Sequence, residues 1–339
     1  MSIWIGTANK GYASYAMEEL RRTLGAISCR QLEPGETFLF EAQGERDTVW
    51  ETILANEPIF LRHVQPVDRE LPLSGDADDL EELTGLIRHA RHVFEGRGIA
   101  VHLRKMQASP FPYSAADTKA LLDAVLTELG GRHALQDPEL ILSLYATTDR
   151  LLVGWGSPEG MLSDWPGGAV RFQREDGQIS RAKFKLLEAE RSFDLSLQQF
   201  EQALDVGAAP GGWTSLLLER GLRVTAIDPA ELHPSLHGHP GLTVLRQNAS
   251  EAKLQPYAFD LLVCDMSWSP TLMCKLVLDL REALRSGAHA IVTVKLMHRK
   301  PLQTIRDVIG RLEQGFELRK AKQLFHNRDE ITLHLCKRG

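Results

Sequence analysis

The chain has 339 residues, of which 43% are hydrophobic, and its formal net charge at pH 7 is −6. This length predicts two domains, and the hydrophobic content is sufficient for sizeable cores. The composition argues against a disulfide framework and predicts no metal site, because the four cysteines are scattered without a CxxC pair. The chain has no apolar run long enough to span a membrane and no signal-peptide pattern at its start, so we expect a cytoplasmic protein.

The acidic net charge argues against binding to nucleic acid, but the charges are unevenly distributed. Residues 1–170 contain 15 Lys and Arg against 25 Asp and Glu, which leaves 24 against 20 for residues 171–339 because the totals are 39 and 45. From Arg281 onward the balance is 13 against 6. A basic surface in this part is compatible with RNA binding, although such charges often only solvate helices.

The N-terminal half predicts a mixed α+β region. Its strand-like stretches are, in chain order, "IWIGTA", "ETFLFEA", "GIAVHLRKM", "LILSLYAT" and "RLLVGWG". Its helical stretches are "YASYAMEELRRTLG", "RDTVWETILANEP" and "AADTKALLDAVLTELGG", and Ser114 is placed to cap the last of them. The Pro- and Gly-containing polar stretch "WPGGAVRFQREDGQIS", at residues 165–180, marks the main domain boundary.

The C-terminal half alternates strand and helix patterns. Apolar runs occur at residues 203–206, 222–227, 242–245, 259–264, 288–296, around 316–325 and at 330–337. Helical patterns such as "TLMCKLVLDLREALRSG" and "PLQTIRDVIGRLEQG" separate several of them, which predicts an α/β fold with a parallel sheet and helices on both faces. The turn "HNRD" is too short for a parallel crossover, so the final strand should be antiparallel.

The stretch "LDVGAAPGGWTS", at residues 204–215, is typical of a strand, a turn of small residues and the start of a helix. Ala209 stands where a dinucleotide-binding fingerprint needs its second glycine, and the turn has no lysine for a Walker phosphate loop. Asp228 ends the next strand, where an acid can accept hydrogen bonds from ribose hydroxyls. A ligand with a ribose but no phosphate, such as S-adenosylmethionine (SAM), fits this pattern. A tight strand–helix connection without a ligand is the alternative.

The turn resembles motif I of the FtsJ/RrmJ class of RNA 2′-O-ribose methyltransferases. Further stretches resemble motifs of that class in the same order: "SRAKFKLLEA" (180–189), "LLVCDMSWSP" (261–270), "VTVKL" (292–296) and "HNRDEITLHL" (326–335). The resemblance covers roughly residues 175–339 and implies a Rossmann-like SAM-dependent methyltransferase sheet. The order of the motifs and the chain's ending are most similar to the members that methylate a cytidine ribose in large-subunit (23S) ribosomal RNA.

The resemblance implies a catalytic tetrad and a SAM site. The catalytic residues would be Lys185, Asp265, Lys295 and Glu330. The SAM-binding residues would be Asp205, Gly207, Ala208, Pro210, Gly211, Gly212, Trp213, Asp228, Asn248 and Asp265, with Asn248 as the candidate adenine contact. The predicted topology supports the tetrad, because the ends of parallel strands and the beginning of an antiparallel strand meet at one edge of the sheet.

Methyl transfer to a ribose hydroxyl requires removal of a proton. A lysine can accept that proton only if its pKa is lowered, and two lysines at one site lower each other's pKa. By the resemblance, Lys295 is the base and Lys185 steers the hydroxyl, while Asp265 and Glu330 hold the lysines in position. Lys183, two residues before Lys185, is a candidate contact for RNA phosphate.

The N-terminal half resembles a THUMP domain, a module of RNA-modifying enzymes. The resemblance lies in "FPYSAADTKALLDAVLTELGG" and "LQDPELILSLYATTDRLLVGW", and "NEPIFLRHVQPV" (56–67) resembles the link from a preceding ferredoxin-like subdomain. These resemblances imply a ferredoxin-like subdomain at residues 1–65, a THUMP-like RNA-binding domain at 66–165 and an FtsJ-like methyltransferase domain at 175–339. The expected partner is therefore RNA.

Two other functions compete with ribose methylation of ribosomal RNA. The first is SAM-dependent methylation of another RNA site, such as one in tRNA, of a base, or of a small molecule. Base-methylating enzymes with a THUMP-like module typically carry an Asn/Asp-Pro-Pro-aromatic motif, and this chain has "DMSWSP" there. The second is RNA binding without catalysis, against which the filled tetrad argues.

Overall fold

The computed structural model describes residues 1–174, 176–297 and 300–339. The chain forms two compact units, Met1–Ala169 and Val170–Gly339. Among the described residues, none of the helices combines the length and the apolar character that a membrane crossing requires.

The first unit is a mixed α+β structure, as the sequence predicts. Its strands are β1 (Ser2–Thr7), β2 (Ile27–Glu33), β3 (Thr37–Ala42), β4 (His63–Pro66), β5 (Arg69–Pro72), β6 (Gly98–Lys105), β7 (Arg132–His133), β8 (Leu140–Ala146) and β9 (Arg150–Gly156). Its helices are α1 (Ala13–Leu24), α2 (Arg46–Ala55), α3 (Asp78–His89), α4 (Arg91–Phe94) and α5 (Ala115–Glu128).

These strands form two sheets within the first unit. One has the order β2-β3-β1-β4 and the other the order β5-β9-β8-β6-β7. The chain leaves the first sheet at Pro66 and enters the second at Arg69, close to the predicted limit of the ferredoxin-like subdomain. Ser114 caps α5 as expected, since its Oγ accepts a hydrogen bond from the Asp117 N–H at 3.1 Å. The THUMP-like assignment itself stays a prediction.

The second unit is built around a single sheet. Its strands are β10 (Gln202–Val206), β11 (Arg223–Ile227), β12 (Leu242–Leu245), β13 (Phe259–Cys264), β14 (Leu284–Lys295), β15 (Phe316–Lys322) and β16 (Glu330–Lys337). Its helices are α6 (Lys183–Ser192), α7 (Gly212–Glu219), α8 (Pro270–Asp279) and α9 (Pro301–Leu312).

The sheet of the second unit has the strand order β12-β11-β10-β13-β14-β16-β15. The first five strands in that order are parallel to one another. The last strand of the chain, β16, lies antiparallel between β14 and β15, which confirms the predicted Rossmann-like sheet with a final antiparallel strand. Because of this direction, Glu330 at the start of β16 lies opposite Lys295 at the end of β14.

The core of the second unit explains why its strands can be predicted from the sequence. Strands β10 and β13 are almost completely buried, and a central parallel strand covered on both faces is apolar throughout. Leu261, Val263 and Ile291 from the sheet pack with Leu216 and Leu217 of α7 in one cluster. This packing holds the carboxyl ends of β10, β13 and β14 side by side.

Candidate active site

The turn between β10 and α7 depends on glycine. Gly207 has φ of 74° and Gly211 has φ of 110°, values that side-chain-bearing residues rarely adopt. A Cβ at Gly207 would stand 2.4 Å from Cγ of Met266, and one at Gly212 would stand 2.3 Å from Oγ of Ser180. The backbone of this turn is therefore closely approached by the chain around it, and it keeps its shape only with these glycines.

Asp228 holds the same turn from the end of β11. One carboxylate oxygen accepts a hydrogen bond from the Ala209 N–H at 3.0 Å, and the other accepts one from the Ala230 N–H at 2.8 Å. A carboxylate offers about four lone-pair positions, so Asp228 retains acceptor capacity for a ligand beside the turn. Asp228 thus lies next to the glycine turn, as its place at the end of β11 predicts.

Asp205, predicted to bind SAM, is buried at the end of β10. Oδ2 of Asp205 accepts a hydrogen bond from the Thr214 hydroxyl at 2.6 Å, which ties β10 to α7. Burial raises the pKa of Asp205 to about 7; the Thr214 hydrogen bond opposes the rise, and the negative charges of Asp265 and Asp228 add to it. Asp205 therefore stabilises the turn from the buried side. Its effect on a ligand would be indirect, through the conformation of the turn.

Two side chains lie differently from the sequence-based expectation. The Trp213 indole is buried in the core, and its Nε1 donates to the Ala182 carbonyl at 2.7 Å. Lys183 is also buried, with Nζ 2.8 Å from Glu219. The predicted contact of Lys183 with phosphate is therefore wrong, because its buried amine pairs with Glu219. The Trp213 side chain packs in the core, and the predicted SAM contact of this residue stays a prediction. A local motif does not specify the direction of a side chain on its helix.

Asn248 follows β12, at the same edge of the sheet as Asp228. Its side chain is exposed and donates from Nδ2 to Glu251 at 3.1 Å. That bond uses only the amide nitrogen, so the amide oxygen keeps its capacity to accept a hydrogen bond and Asn248 remains compatible with an adenine contact.

Three of the four predicted catalytic residues meet in one hydrogen-bonded cluster. Nζ of Lys185 lies 2.9 Å and 3.2 Å from the two carboxylate oxygens of Asp265 and 2.8 Å from Oε2 of Glu330. The three side chains are between 15% and 18% exposed, so water screens the cluster only in part. Helix α6, strand β13 and strand β16 each contribute one member.

Thr293 belongs to this cluster although the sequence analysis did not select it. Its Oγ1 donates to Oδ1 of Asp265 at 2.8 Å. Side chains two residues apart in a strand share a face, so Thr293 lies on the face of β14 that also carries Lys295. That alternation in "VTVKL" is a signal from which the role of Thr293 in orienting Asp265 could have been predicted.

The charge state of Lys185 differs from the sequence-based expectation. Burial lowers the pKa of Lys185, but the Asp265 and Glu330 carboxylates outweigh burial, and the net direction is upward. The expected mutual lowering of pKa between two lysines therefore does not hold at Lys185. This residue is a stably charged donor.

Lys295 stands at the end of β14 with an exposed side chain. Its register partner across the antiparallel pair is Glu330, and directly opposed residues have Cβ atoms about 5 Å apart. Within the described part of the chain, the Lys295 side chain has no hydrogen bond or ion pair. The structure thus puts one lysine into a carboxylate clamp and leaves the second beside it with a free amine.

The geometry combines a glycine turn, an acid at the next strand end and a Lys–Asp–Lys–Glu group at one sheet edge. Within the described ranges, no three His, Cys, Asp or Glu side chains are grouped so as to hold a metal ion. The family model described as FtsJ-like methyltransferase matches residues 178–323, which include the turn and three of the four tetrad positions. The second unit is therefore an FtsJ-like methyltransferase domain.

Curated relatives give the family of the chain. It is 34% identical over 223 residues to ribosomal RNA large subunit methyltransferase M of Laribacter hongkongensis, covering 60% of each chain. It is 37% identical to the protein of that name from Halorhodospira halophila, covering 60% of this chain and 61% of the relative. With the Azotobacter vinelandii protein of that name the identity is 31%, over 72% of this chain and 68% of the relative. The chain belongs to the ribosomal RNA large subunit methyltransferase M family.

The extent of these matches is limited. The chain spans about three fifths of the length of the first two relatives. Among solved structures, the crystal structure of TrmN from Thermus thermophilus aligns over 99% of this chain and 100% of its own, at 16% identity and a TM-score of 0.41.

Proposed function

We propose that this protein transfers a methyl group from SAM to a ribose 2′-hydroxyl of large-subunit ribosomal RNA, with a cytidine as the target nucleoside. The observation that carries the proposal is the Lys185 clamp, in which Asp265 and Glu330 fix a charged lysine beside the free amine of Lys295. Family membership supports the substrate class, since the curated relatives are named as methyltransferases of large-subunit ribosomal RNA.

The residues at the carboxyl edge of β10, β11 and β12 fit SAM. A tight turn with two glycines at positive φ lets a ligand approach the backbone, and Asp228 can accept hydrogen bonds from ribose hydroxyls. The residues that would contact SAM are Gly207, Ala208, Pro210, Gly211, Gly212, Asp228, Asn248 and Asp265, with Asp205 acting through the turn. When bound, SAM supplies a methyl group on a sulfonium sulfur, whose bond to that methyl breaks as the ribose oxygen takes it.

The two lysines divide the remaining work. Lys185 is charged and held by two carboxylates, so it can donate a hydrogen bond to the ribose oxygen and keep it in line. Lys295 has a free amine on the same sheet edge and accepts the proton that the 2′-hydroxyl loses. Asp265 orients Lys185 and is itself oriented by Thr293. Such preorganised charge avoids reorganisation during the reaction.

RNA binding is shared along the chain in this proposal. The basic balance after Arg281 supplies phosphate contacts near the site, and the N-terminal unit, which resembles a THUMP region, supplies further affinity. Because ribosomal RNA is the proposed substrate, the proposed location is the cytoplasm. A metal ion has no part in the proposed reaction.

Mapping of 2′-O-methyl groups in large-subunit ribosomal RNA tests the proposal. RNA from cells that lack the gene should miss one 2′-O-methylcytidine, and the wild-type gene should restore it while the Lys295→Ala variant does not. The same samples should be analysed for methylated bases and for tRNA methylation. Loss of a methyl group only from tRNA or only from a base would replace this proposal with the corresponding alternative.

A further inference from the structure

Three exposed apolar side chains follow β13 and β14, the strands that lead to Asp265 and Lys295. Among the eight large hydrophobic side chains that the described residues expose, Trp268 is 40% exposed, Leu272 54% and Met297 52%. Single exposed hydrophobic residues are ordinary on a protein surface, whereas a group of them marks a binding surface. We call these three residues the apolar rim.

The position of the apolar rim follows from the sheet. Trp268 comes three residues after Asp265, and Met297 comes two residues after Lys295. The strands that lead to these residues, β13 and β14, are parallel neighbours, so the two segments leave the sheet side by side at the carboxyl edge. Two residues of extended chain span at most ~7 Å, which is the scale of one nucleoside.

A cleft adjoins the apolar rim. It has a volume of about 210 Å³ and lies between the start of α8 and one side of α9, with Pro270, Met297 and Val308 among the residues that line it. Arg311 also lines it, and Lys275 and Lys300 are exposed on the same two helical segments. Asp307 is the one carboxylate among the described residues of the lining, so the cations near the cleft outnumber the acids. An apolar surface with cations at its border suits a nucleobase attached to a phosphate backbone better than it suits an apolar peptide.

We propose that the apolar rim receives the target base, which stacks on the Trp268 indole with its edge toward Met297 and the cleft. This inference rests on the proposed function and adds the base-binding surface to it. With the base held there, its own ribose reaches back toward Lys295 and the Lys185 clamp. Trp268 is thus a positioning residue for the 2′-hydroxyl.

The inference predicts an effect on the chemical step more than on binding. Phosphate contacts dominate the affinity of a protein for RNA, so Trp268→Ala should change total RNA affinity little. The single-turnover rate of methyl transfer at saturating RNA should fall at least fivefold, the lower end of what loss of one base–aromatic stack costs. Trp268→Phe should keep most of the rate, and Trp268→Leu, which is apolar but cannot stack, should not.

Tyr257→Ala is the matched control. Tyr257 is an exposed aromatic residue that lies just before β13, so it is at the opposite edge of the sheet from Trp268. The substrate is transcribed large-subunit ribosomal RNA, used intact or with an abasic ribose at the mapped target position. Removal of the base should slow wild-type methyl transfer by the factor that Trp268→Ala does, and the two changes together should cost no more than either alone.

The possible failures are distinguishable. If the wild-type protein transfers no methyl group to ribosomal RNA, the proposed function fails and this inference fails with it. If wild type is active but Trp268→Ala behaves like Tyr257→Ala, or if Trp268→Ala slows the abasic RNA by the full factor, only this inference is overturned. A dimer that Trp268→Ala converts to a monomer in sedimentation would also overturn it, because the rim would then be a contact between copies of the chain.

Discussion

Lys185 and Glu330 are 145 residues apart in the chain, and Nζ of Lys185 lies 2.8 Å from Oε2 of Glu330. The pair joins the helix that precedes the sheet to its last strand, with Asp265 as the second carboxylate on the same amine. Because these carboxylates raise the pKa of Lys185 against the effect of burial, Lys185 is a donor. Lys185 and Lys295 therefore have different surroundings, since Lys295 is exposed, and the proposed function gives them different tasks.

Lys185→Met should abolish the clamp and slow methyl transfer. It removes a preorganised donor and leaves Asp265 and Glu330 facing each other, so we expect the single-turnover rate to fall by roughly 10²–10³-fold. Lys183→Met is the control, because Lys183 lies two residues away and pairs with Glu219; it should reduce stability and leave the rate of the folded protein unchanged. Equal loss of rate in both variants would contradict the separate roles of Lys185 and Lys183.

Asp228→Ala should weaken SAM binding more than about tenfold. The variant loses the proposed acceptor for the ribose hydroxyls and the two backbone hydrogen bonds that shape the turn, and hydrogen bonds to a charged group contribute about 1.5–3 kcal/mol each. Calorimetric titration with SAM measures the effect. Glu231→Ala removes a nearby exposed carboxylate and should bind SAM like wild type. Unchanged SAM affinity in a folded Asp228→Ala protein would place the cofactor elsewhere.

Asp205→Asn should change how stability depends on pH. The folded-state pKa of Asp205 is raised to about 7 by burial, against about 3.9 in an unfolded chain. Between these values the folded state binds a proton that the unfolded state does not, so wild-type stability should fall as pH rises from about 4 to about 7. Asn cannot ionise and still accepts the Thr214 hydrogen bond. The free energy of unfolding of the variant should therefore rise relative to that of wild type, by up to a few kcal/mol, as pH rises across this range.

Buried histidines also make the stability of the protein depend on pH, so the effect of Asp205 is measured as the difference between variant and wild type. Burial lowers the pKa of His102 and of His334 to about 4, so each destabilises the fold as pH falls from about 6.5 to about 4. Both proteins contain these histidines, and their contribution cancels in the free energy of unfolding of Asp205→Asn minus that of wild type. A difference that stays constant from pH 4 to pH 8 would show that Asp205 does not bind the proton.

The sequence predicted the second unit well because its signals are of the kind that local patterns carry. Buried parallel strands are continuous apolar runs, and the connection before β16, seven residues in the structure, is too short for a parallel crossover, so the direction of β16 can be predicted. Once the direction of β16 was known, Glu330 had to start at the edge where Lys295 ends. The meeting of Lys185 with Asp265 and Glu330 follows the same logic.

Side-chain direction was harder to predict. Lys183 and Lys185 are two residues apart on one helix and so point roughly 200° away from each other; only the packing of α6 decides that Lys185 meets Asp265 while Lys183 meets Glu219. Trp213 was assigned by its motif, and its burial depends on the surrounding core. In the first unit, no helix was predicted at α3 (Asp78–His89). Its buried positions Leu80, Leu83 and Ile87 nevertheless have helical spacing.

Removal of residues 1–169 should separate SAM binding from RNA binding. The second unit contains its own sheet and core, so the truncated protein should bind SAM like the full chain. It should methylate ribosomal RNA poorly at low RNA concentration, and the defect should be smaller at saturating RNA. RNA affinity of the full chain should fall steeply with salt, since phosphate contacts release counterions. Full activity of the truncated protein at low RNA concentration would remove the proposed RNA-binding role of the N-terminal unit.

Lys295→Ala should leave SAM affinity nearly intact and slow methyl transfer, because in the proposed function the unpaired amine beside Glu330 accepts the proton of the 2′-hydroxyl. General-base contributions are on the order of 10²–10⁴-fold, and single-turnover methylation of the mapped ribosomal RNA site measures the loss. Lys295→Arg should not restore the rate, since a guanidinium stays protonated and cannot accept a proton. A Lys295→Arg enzyme with a near-normal rate would mean that residue 295 supplies only positive charge, and the proton would then have to leave by a different group.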